Sequence, residues 1–342
     1  MSMKNNCTSD VFYQDEVFPY LPEKILDFHA HIWSSSNWKY IPWETEEQGA
    51  SYMVTETSYL PEQLIADGKR CFNGCQYSAV CFGNPTPSVD WEKQVAFVAE
   101  AVRNYPFLFP LVVAGKKLGI SSEKYKQILA GGRFYGFKVF INWSGDAYDD
   151  TRVQDMIGPC EAELANEMRL VILLHVPGIG RLADSGVQKG VEWLAKECPE
   201  GRIVLAHCGR CYTPQDMKKA AGFLKNLPNV FMDTSMVMDP VVIEIALNAT
   251  GPSRLVFGTD FPVAAMRGRR VRVMDHWVDV VLEGYPKSAY RIASSSIRAT
   301  FMAREIAFAV IYAAELCGIK TSERAGIFYD NGIGLLNRVA IK

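Results

Sequence analysis

Net charge is almost absent from this chain. Its 342 residues carry 36 lysines and arginines against 38 aspartates and glutamates, a formal charge of −2. That balance removes the electrostatic reason to expect a nucleic acid or an anionic membrane as partner. A membrane-spanning run is missing as well. The most apolar late segment, residues 303–318, is interrupted by Arg304, Glu305 and Glu315 and is too short to cross a bilayer. Residues 1–24 are polar and mixed, without a basic-then-apolar leader, so a soluble, cytoplasmic protein is expected. No Ser/Gly-rich linker or low-complexity tract divides the chain, which favours one elaborated domain over two. The nine cysteines are odd in number and irregularly spaced, against a secreted disulfide framework. Two pairs stand close, Cys71/Cys75 and Cys208/Cys211. A single C-x-x-C without a second pair is weak evidence for a zinc or redox site, and buried or loop thiols are expected. Histidine is scarce: there are five, at positions 29, 31, 175, 207 and 276.

What the chain has in abundance is alternation. Short strand-like runs at 25–28, 76–81, 108–113, 134–141, 170–174, 202–206, 230–232 and 254–257 are separated by helical segments at 61–71, 91–103, 121–129, 153–168, 187–196, 214–224 and 240–247. The segment 91–103 has apolar residues at Trp91, Val95, Val98 and Val102, one helical face. The segment at 121 opens on a serine cap, and that at 214 has proline in its first turn. Several strands are apolar without alternation, as expected when helices cover the outside of a parallel sheet. Eight strands, each followed by a helical segment, read as an α/β fold of the closed (β/α)8 TIM-barrel type, with active residues at the carboxyl ends of the strands. The expected division is an N-terminal arm over 1–24 and a barrel over 25–342. The barrel includes a long loop after the first strand and extra C-terminal helices at 275–283, 297–317 and 322–337.

The histidines fall where such a barrel would carry chemistry. In Asp27-Phe28-His29-Ala30-His31, strand periodicity places Asp27, His29 and His31 on one face. Two imidazoles on one face can close on one divalent cation, and imidazole suits Zn, Fe, Ni or Cu. Taken alone, the pair equally fits one surface and one buried histidine with no shared role. The other positions change that balance. Leu170–Leu174 leads into His175, residues 202–206 lead into His207, and Leu255-Val256-Phe257 leads through Gly258-Thr259 into Asp260. In a barrel these five polar residues crown strands one, five, six and eight at one mouth.

With these motifs the chain resembles the amidohydrolase superfamily, in its amidohydrolase 2 branch of metal-dependent hydrolases and decarboxylases. The matching elements are Asp27-Phe28-His29-Ala30-His31, His175, His207-Cys208-Gly209, Gly258-Thr259-Asp260-Phe261-Pro262 and the closing Ile327-Phe328-Tyr329-Asp330-Asn331. They span residues 25–336. The resemblance implies one divalent metal ion, zinc first, held by His29, His31, His175 and Asp260, with a position left for water. It implies catalysis by Asp260, which also takes the water's proton, and by His207, which touches substrate or water instead of serving as an obligatory ligand. In two-metal members of the superfamily a strand-four lysine is carboxylated and bridges the metals. Lys138 stands mid-strand in Gly136-Phe137-Lys138-Val139-Phe140; a one-metal site, with Lys138 paired to Asp27 or binding a substrate carboxylate, is preferred here.

Other substrate-binding candidates are Arg210, as a clamp for an anionic group or a solvated loop residue, and Asp233, for a substrate hydroxyl or as a turn cap. Trp33, with Trp38 and Trp43 in the aromatic loop, could stack on a ring substrate or pack on a second subunit of a homo-oligomer. The leading function is a metal-dependent hydrolase attacking an ester, lactone or amide carbonyl of a small carboxylated substrate. The alternative is a non-oxidative decarboxylase of an unsaturated or aromatic acid; its relatives often carry glutamate in place of the first paired histidine, so His29 weighs against it. A non-catalytic binding barrel is third, since a scaffold has no need to keep all five polar residues.

Overall fold

Lys24–His31 forms strand β1, buried over all but its first residue. Its neighbours follow in chain order as β2 Gln76–Phe82, β3 Leu108–Pro110, β4 Val112–Ala114, β5 Gly136–Val139, β6 Val171–Leu174, β7 Arg202–Leu205, β8 Val230–Asp233 and β9 Leu255–Val256. The computed structural model describes residues 11–40, 53, 56–143, 150–274, 276–282, 290–291 and 299–340. Pairing is parallel throughout this set, β1 with β2, β2 with β3, and then stepwise from β4 to β9. β3 and β4 are one barrel strand interrupted at Leu111, directly after Pro110, which has no N–H to give the ladder. The ring closes between the ends: Phe28 N donates to Phe257 O at 2.8 Å, Asp260 N to His29 O at 2.8 Å and His31 N to Phe261 O at 2.9 Å. The result is the expected eight-stranded barrel.

Helices pack outside, each opened by a local signal. They are α1 Pro61–Cys71, α2 Trp91–Arg103, α3 Ser122–Gly132, α4 Pro159–Glu167, α5 Ser185–Glu197, α6 Pro214–Leu224, α7 Pro240–Thr250 and α8 Met302–Leu316. The Asp90 carboxylate accepts from Lys93 N, the Ser121 hydroxyl from Lys124 N and the Thr213 hydroxyl from Asp216 N, each satisfying an N-terminal amide that has no partner inside its helix. The expected helix over 153–168 is broken. It becomes a short turn, Val153–Met156, and then α4, because Gly158 and Pro159 end one ladder and start the next. The arm over 1–24 is visible from residue 11 and folds against the barrel, with Tyr13 and Val17 buried and the Tyr13 hydroxyl donating to Asn73 O. Among the described residues no helix is long and apolar enough to cross a membrane.

The region after β9 departs from expectation. Where a helix over 275–283 was expected, β10 Gly268–Val273 and β11 His276–Val281 form an antiparallel hairpin. The β-branched content of Val271, Val273, Val278, Val280 and Val281 favours extended chain, and cross-strand pairing realises it. His276 is exposed on this hairpin, away from the other histidines. The two later helices also differ: α8 is observed from Met302, and the last segment divides into Thr321–Ala325, a wider turn over Gly326–Asp330, and Asn331–Leu336.

Candidate metal centre and substrate cavity

His29 and His31 leave β1 into a cavity of about 230 Å³. His175, His207, Asp260, Phe140, Asn142, Tyr212, Met236 and Arg270 share its walls. The two β1 histidines are held as a pair by acceptors behind them. His29 Nδ1 lies 2.7 Å from Asp233 Oδ2, and His31 Nδ1 lies 3.2 Å from the Gly83 carbonyl oxygen. A carboxylate and a carbonyl can only accept, so both Nδ1 atoms carry the proton and both Nε2 atoms turn a lone pair inward. Those lone pairs meet one oxygen: Asp260 Oδ1 is 3.3 Å from His29 Nε2 and 3.1 Å from His31 Nε2. His29, His31 and Asp260 thus offer two nitrogens and an oxygen, all within 4.8 Å of one another.

The chemistry of this donor set fits a divalent ion. Three lone-pair-bearing atoms converge with no donor hydrogen between them. Beside them, His175 Nδ1 is a buried nitrogen without a hydrogen-bond partner in the protein. His175 follows β6, and its ring stands edge-on to that of His207, with centroids 5.4 Å apart. It lines the same cavity but falls outside the tight trio.

Electrostatics agree with neutral ligands beside an ionised carboxylate. Burial drives the His29 imidazole well below its ordinary pKa, helped by the nearby Lys138 ammonium and opposed by Asp260. Burial, with His207 next, does the same to His175. His207 is lowered too, by burial against the opposing pull of Asp260 and Asp233. Burial would raise Asp260, but His29, the hydrogen bond from His31 and the neighbouring His207 overrule it and hold the carboxyl at about 2.

Asp233 and Ser235 form the support behind the cluster. The Asp233 carboxylate is fully buried and accepts from His29 Nδ1, from His207 N at 2.8 Å and from Ser235 N at 3.0 Å. The Ser235 hydroxyl donates to it as well and lies 2.8 Å from His207 Nδ1 and 3.1 Å from His29 Nδ1. His207 Nδ1 also faces the Ser235 carbonyl at 3.1 Å, which sets its proton there. The capping reading of Asp233 therefore holds, and its carboxylate is turned to His29 and away from the cavity lining. His207 begins a left-handed turn in which φ is +56°, +49°, +66° and +60° over residues 207–210. Only Gly209 adopts that conformation without cost, and such strained backbone clusters at functional sites.

That turn carries Arg210 elsewhere than a substrate clamp would require. Its Nη1 donates to the carbonyls of Val176 at 3.0 Å and Gly178 at 3.2 Å, bracing the loop that follows His175. The arginine in the cavity wall is Arg270, on β10. Lys138 is fully buried on β5, its Nζ 3.3 Å from His29 Nε2 and over the faces of Phe82 and Phe140, at 4.9 and 4.7 Å. Burial lowers this ammonium to about 8, with Asp233 and Asp260 pulling the other way. It does not pair with Asp27. The Asp27 carboxylate accepts from the Tyr77 hydroxyl at 2.9 Å, from Thr259 N and its hydroxyl, and from His29 N. A register shift between Asp27 and Ala30 breaks the simple alternation that would have aligned Asp27 with the histidines.

Trp33 is fully buried; its indole N–H donates to Glu56 O and its backbone bridges to Tyr59, which places it in the core and outside the cavity lining. Trp38 donates to Thr57 O at 2.8 Å, and Trp43 lies outside the described residues. Cys208 and Cys211 are buried free thiols, and all eight described cysteines are free. No cysteine joins a metal-ligand group among the described residues. The residues the sequence did not single out are Ser235, Tyr212, Phe140 and Arg270. For Arg270 a signal existed in the alternating Arg270-Val271-Arg272-Val273.

A histidine–carboxylate metal site at the carboxyl end of a closed parallel barrel defines the class: a TIM-barrel metal protein of the amidohydrolase type. The family model described as amidohydrolase matches residues 26–272, and the chain belongs to that family of metal-dependent enzymes. No match was found among curated proteins. Three similar solved structures each cover 92% of this chain and 99% of their own. An amidohydrolase from Burkholderia multivorans with bound zinc is 18% identical, with a TM-score of 0.59. The 5-carboxyvanillate decarboxylase of Sphingomonas paucimobilis is 12% identical, also at 0.59. A probable 2-pyrone-4,6-dicarboxylic acid hydrolase from Acinetobacter baumannii, with citric acid bound, is 16% identical at 0.52. At these identities the likeness is one of fold.

Proposed function

We propose that the chain is a metal-dependent hydrolase that adds water to an ester, lactone or amide carbonyl of a small carboxylated substrate. The observation behind this reading is Asp260, with Oδ1 3.1 Å and 3.3 Å from two histidine Nε2 atoms and its carboxyl held at about 2. A carboxylate ionised throughout neutral pH is ready to receive a proton from water and has none to give. His29, His31 and Asp260, joined by His175, would hold one ion, and zinc suits nitrogen and oxygen donors of this kind. When bound, the ion supplies Lewis acidity at the carbonyl. Asp260 then accepts the proton of the attacking water. His207 has Nδ1 committed to Ser235, so its Nε2 lone pair holds a hydrogen of the water or of a substrate hydroxyl. Lys138, flanked by two aromatic faces, is read here as a lone ammonium beside a one-metal site.

A second reaction suits the same cavity. Phe140 and Tyr212 in its walls favour a flat unsaturated or aromatic acid, which non-oxidative decarboxylation would also take. In that case Asp260 would have to arrive protonated in order to deliver a proton to carbon, against its low pKa. The test is to incubate zinc-loaded protein with a panel of lactones, esters and carboxylated aromatics, measuring released acid and carbon dioxide separately. Acid without carbon dioxide supports hydrolysis. Carbon dioxide release overturns it in favour of decarboxylation, and no turnover of any member by zinc-replete protein leaves the binding-barrel reading.

A further inference from the structure

Part of the cavity wall is built by a segment outside the barrel. Arg270 on β10 faces Asp279 on β11 as a direct cross-strand pair. Its Nε lies 2.8 Å and its Nη2 2.9 Å from the two Asp279 oxygens, a two-pronged grip between side chains that are 9% and 6% exposed. The guanidinium carbon stands 3.9 Å from the Trp277 ring centroid and 4.5 Å from that of Tyr212, and these rings meet edge-on at 4.9 Å. A fork and two aromatic faces together fix the plane of this group. Burying an ion pair does little for stability compared with apolar packing of the same volume. A cation immobilised at that cost in the wall that also carries His29, His31 and Asp260 calls for a ligand.

We propose that Arg270 determines specificity by gripping a carboxylate on the substrate, and that Asp279 is the residue that positions it. This rests on reading the cavity as the substrate site. The volume limits the partner: a cavity of about 150 Å³ takes a benzene ring, so about 230 Å³ suits one ring with one or two small substituents. The substrate class is a monocyclic, planar carboxylic acid whose reacting group points at the histidines, whose ring lies by Phe140 and Tyr212, and whose carboxylate meets Arg270. Lysine cannot substitute, because it is a point charge with no planar fork to be held by Asp279 or stacked on Trp277.

The test compares benzoate with isophthalate, which carries a second carboxylate, by calorimetric titration of zinc-loaded protein. One carboxylate of either ligand can meet the ion; only isophthalate has another for Arg270. Wild type should bind isophthalate at least about tenfold more tightly than benzoate, the scale of one charge-assisted bidentate contact. Arg270→Met and Arg270→Lys should bring that ratio to about one while benzoate affinity stays within about twofold, which also shows the variants are folded. Asp279→Asn should give an intermediate ratio. An unchanged ratio in Arg270→Met overturns the inference while leaving the hydrolase reading intact. If the ratio collapses as expected but no member of the substrate panel is turned over, the inference stands and the hydrolase reading falls. Failure of wild type to bind either ligand overturns both.

Discussion

Asp260 and His207 share one cavity, yet the atoms around them assign them different work. Asp260 Oδ1 is within reach of two ligand nitrogens, so Asp260→Asn removes both a donor for the ion and the proton acceptor. It should abolish turnover and weaken metal retention. His207 is tethered through Nδ1 to Ser235 and is no member of the tight trio with His31 and Asp260. His207→Asn should therefore leave about one zinc per chain while kcat falls by about two to four orders of magnitude. Metal analysis beside single-substrate kinetics checks the pair, and loss of zinc from His207→Asn as readily as from His29→Asn would make His207 a ligand. A second expectation concerns Asp233, which touches the ion only through His29. Removing its charge in Asp233→Asn should weaken zinc binding by about 10–100-fold, as lost outer partners of metal-bound histidines do. Chelator competition reads this directly, and a change under about twofold would refute the orienting role. The histidines and Asp260 were legible in sequence because each is a polar residue ending an apolar run. The Asp233–His29 contact was not, since it joins positions 204 residues apart.

At the scale of the element, what positions the site is strand pairing, and pairing depends on small details of backbone. Gly136 opens β5, and a Cβ there would lie 1.9 Å from the Val171 carbonyl oxygen on β6, a backbone atom that cannot step aside without breaking the ladder. Gly136→Ala should cost about 3 kcal/mol or more, seen as a fall of several degrees in Tm or as loss of soluble protein. A Tm within one degree of wild type would contradict the register described. Regular strands and helices were readable from periodicity and caps. The hairpin at Gly268–Val281 was not, because six residues containing Trp277 and three valines fit a helical face nearly as well as an extended one. Tertiary pairing across β10 and β11 decided between them. Arg270 and Asp279 became neighbours only through that pairing, so the second half of the substrate cavity stayed hidden with it. The register shift in β1 is a similar case, since it separates Asp27 from the histidines it precedes.

For the whole molecule, a site shared by the first and last barrel strands ties metal binding to the closed ring. An ion that binds only the folded barrel stabilises it by mass action, by about 2.7 kcal/mol at a free concentration one hundred times Kd. Zinc should therefore raise Tm, a chelator should reverse the rise, and His29→Asn should show little of it; equal shifts in His29→Asn and wild type would place the stabilising ion elsewhere. The ring is sealed where β1 meets the segment after β9, through backbone bonds from Phe28, His31 and Asp260. Of the two residues that face each other across that seam, His31 precedes Asp260 by 229 positions. At about 5–20 residues per second of synthesis, the histidine pair leaves the ribosome roughly 10–50 seconds before its carboxylate. The nascent chain thus carries half a ligand set through most of its translation, and the moment of metal capture marks the completion of the barrel.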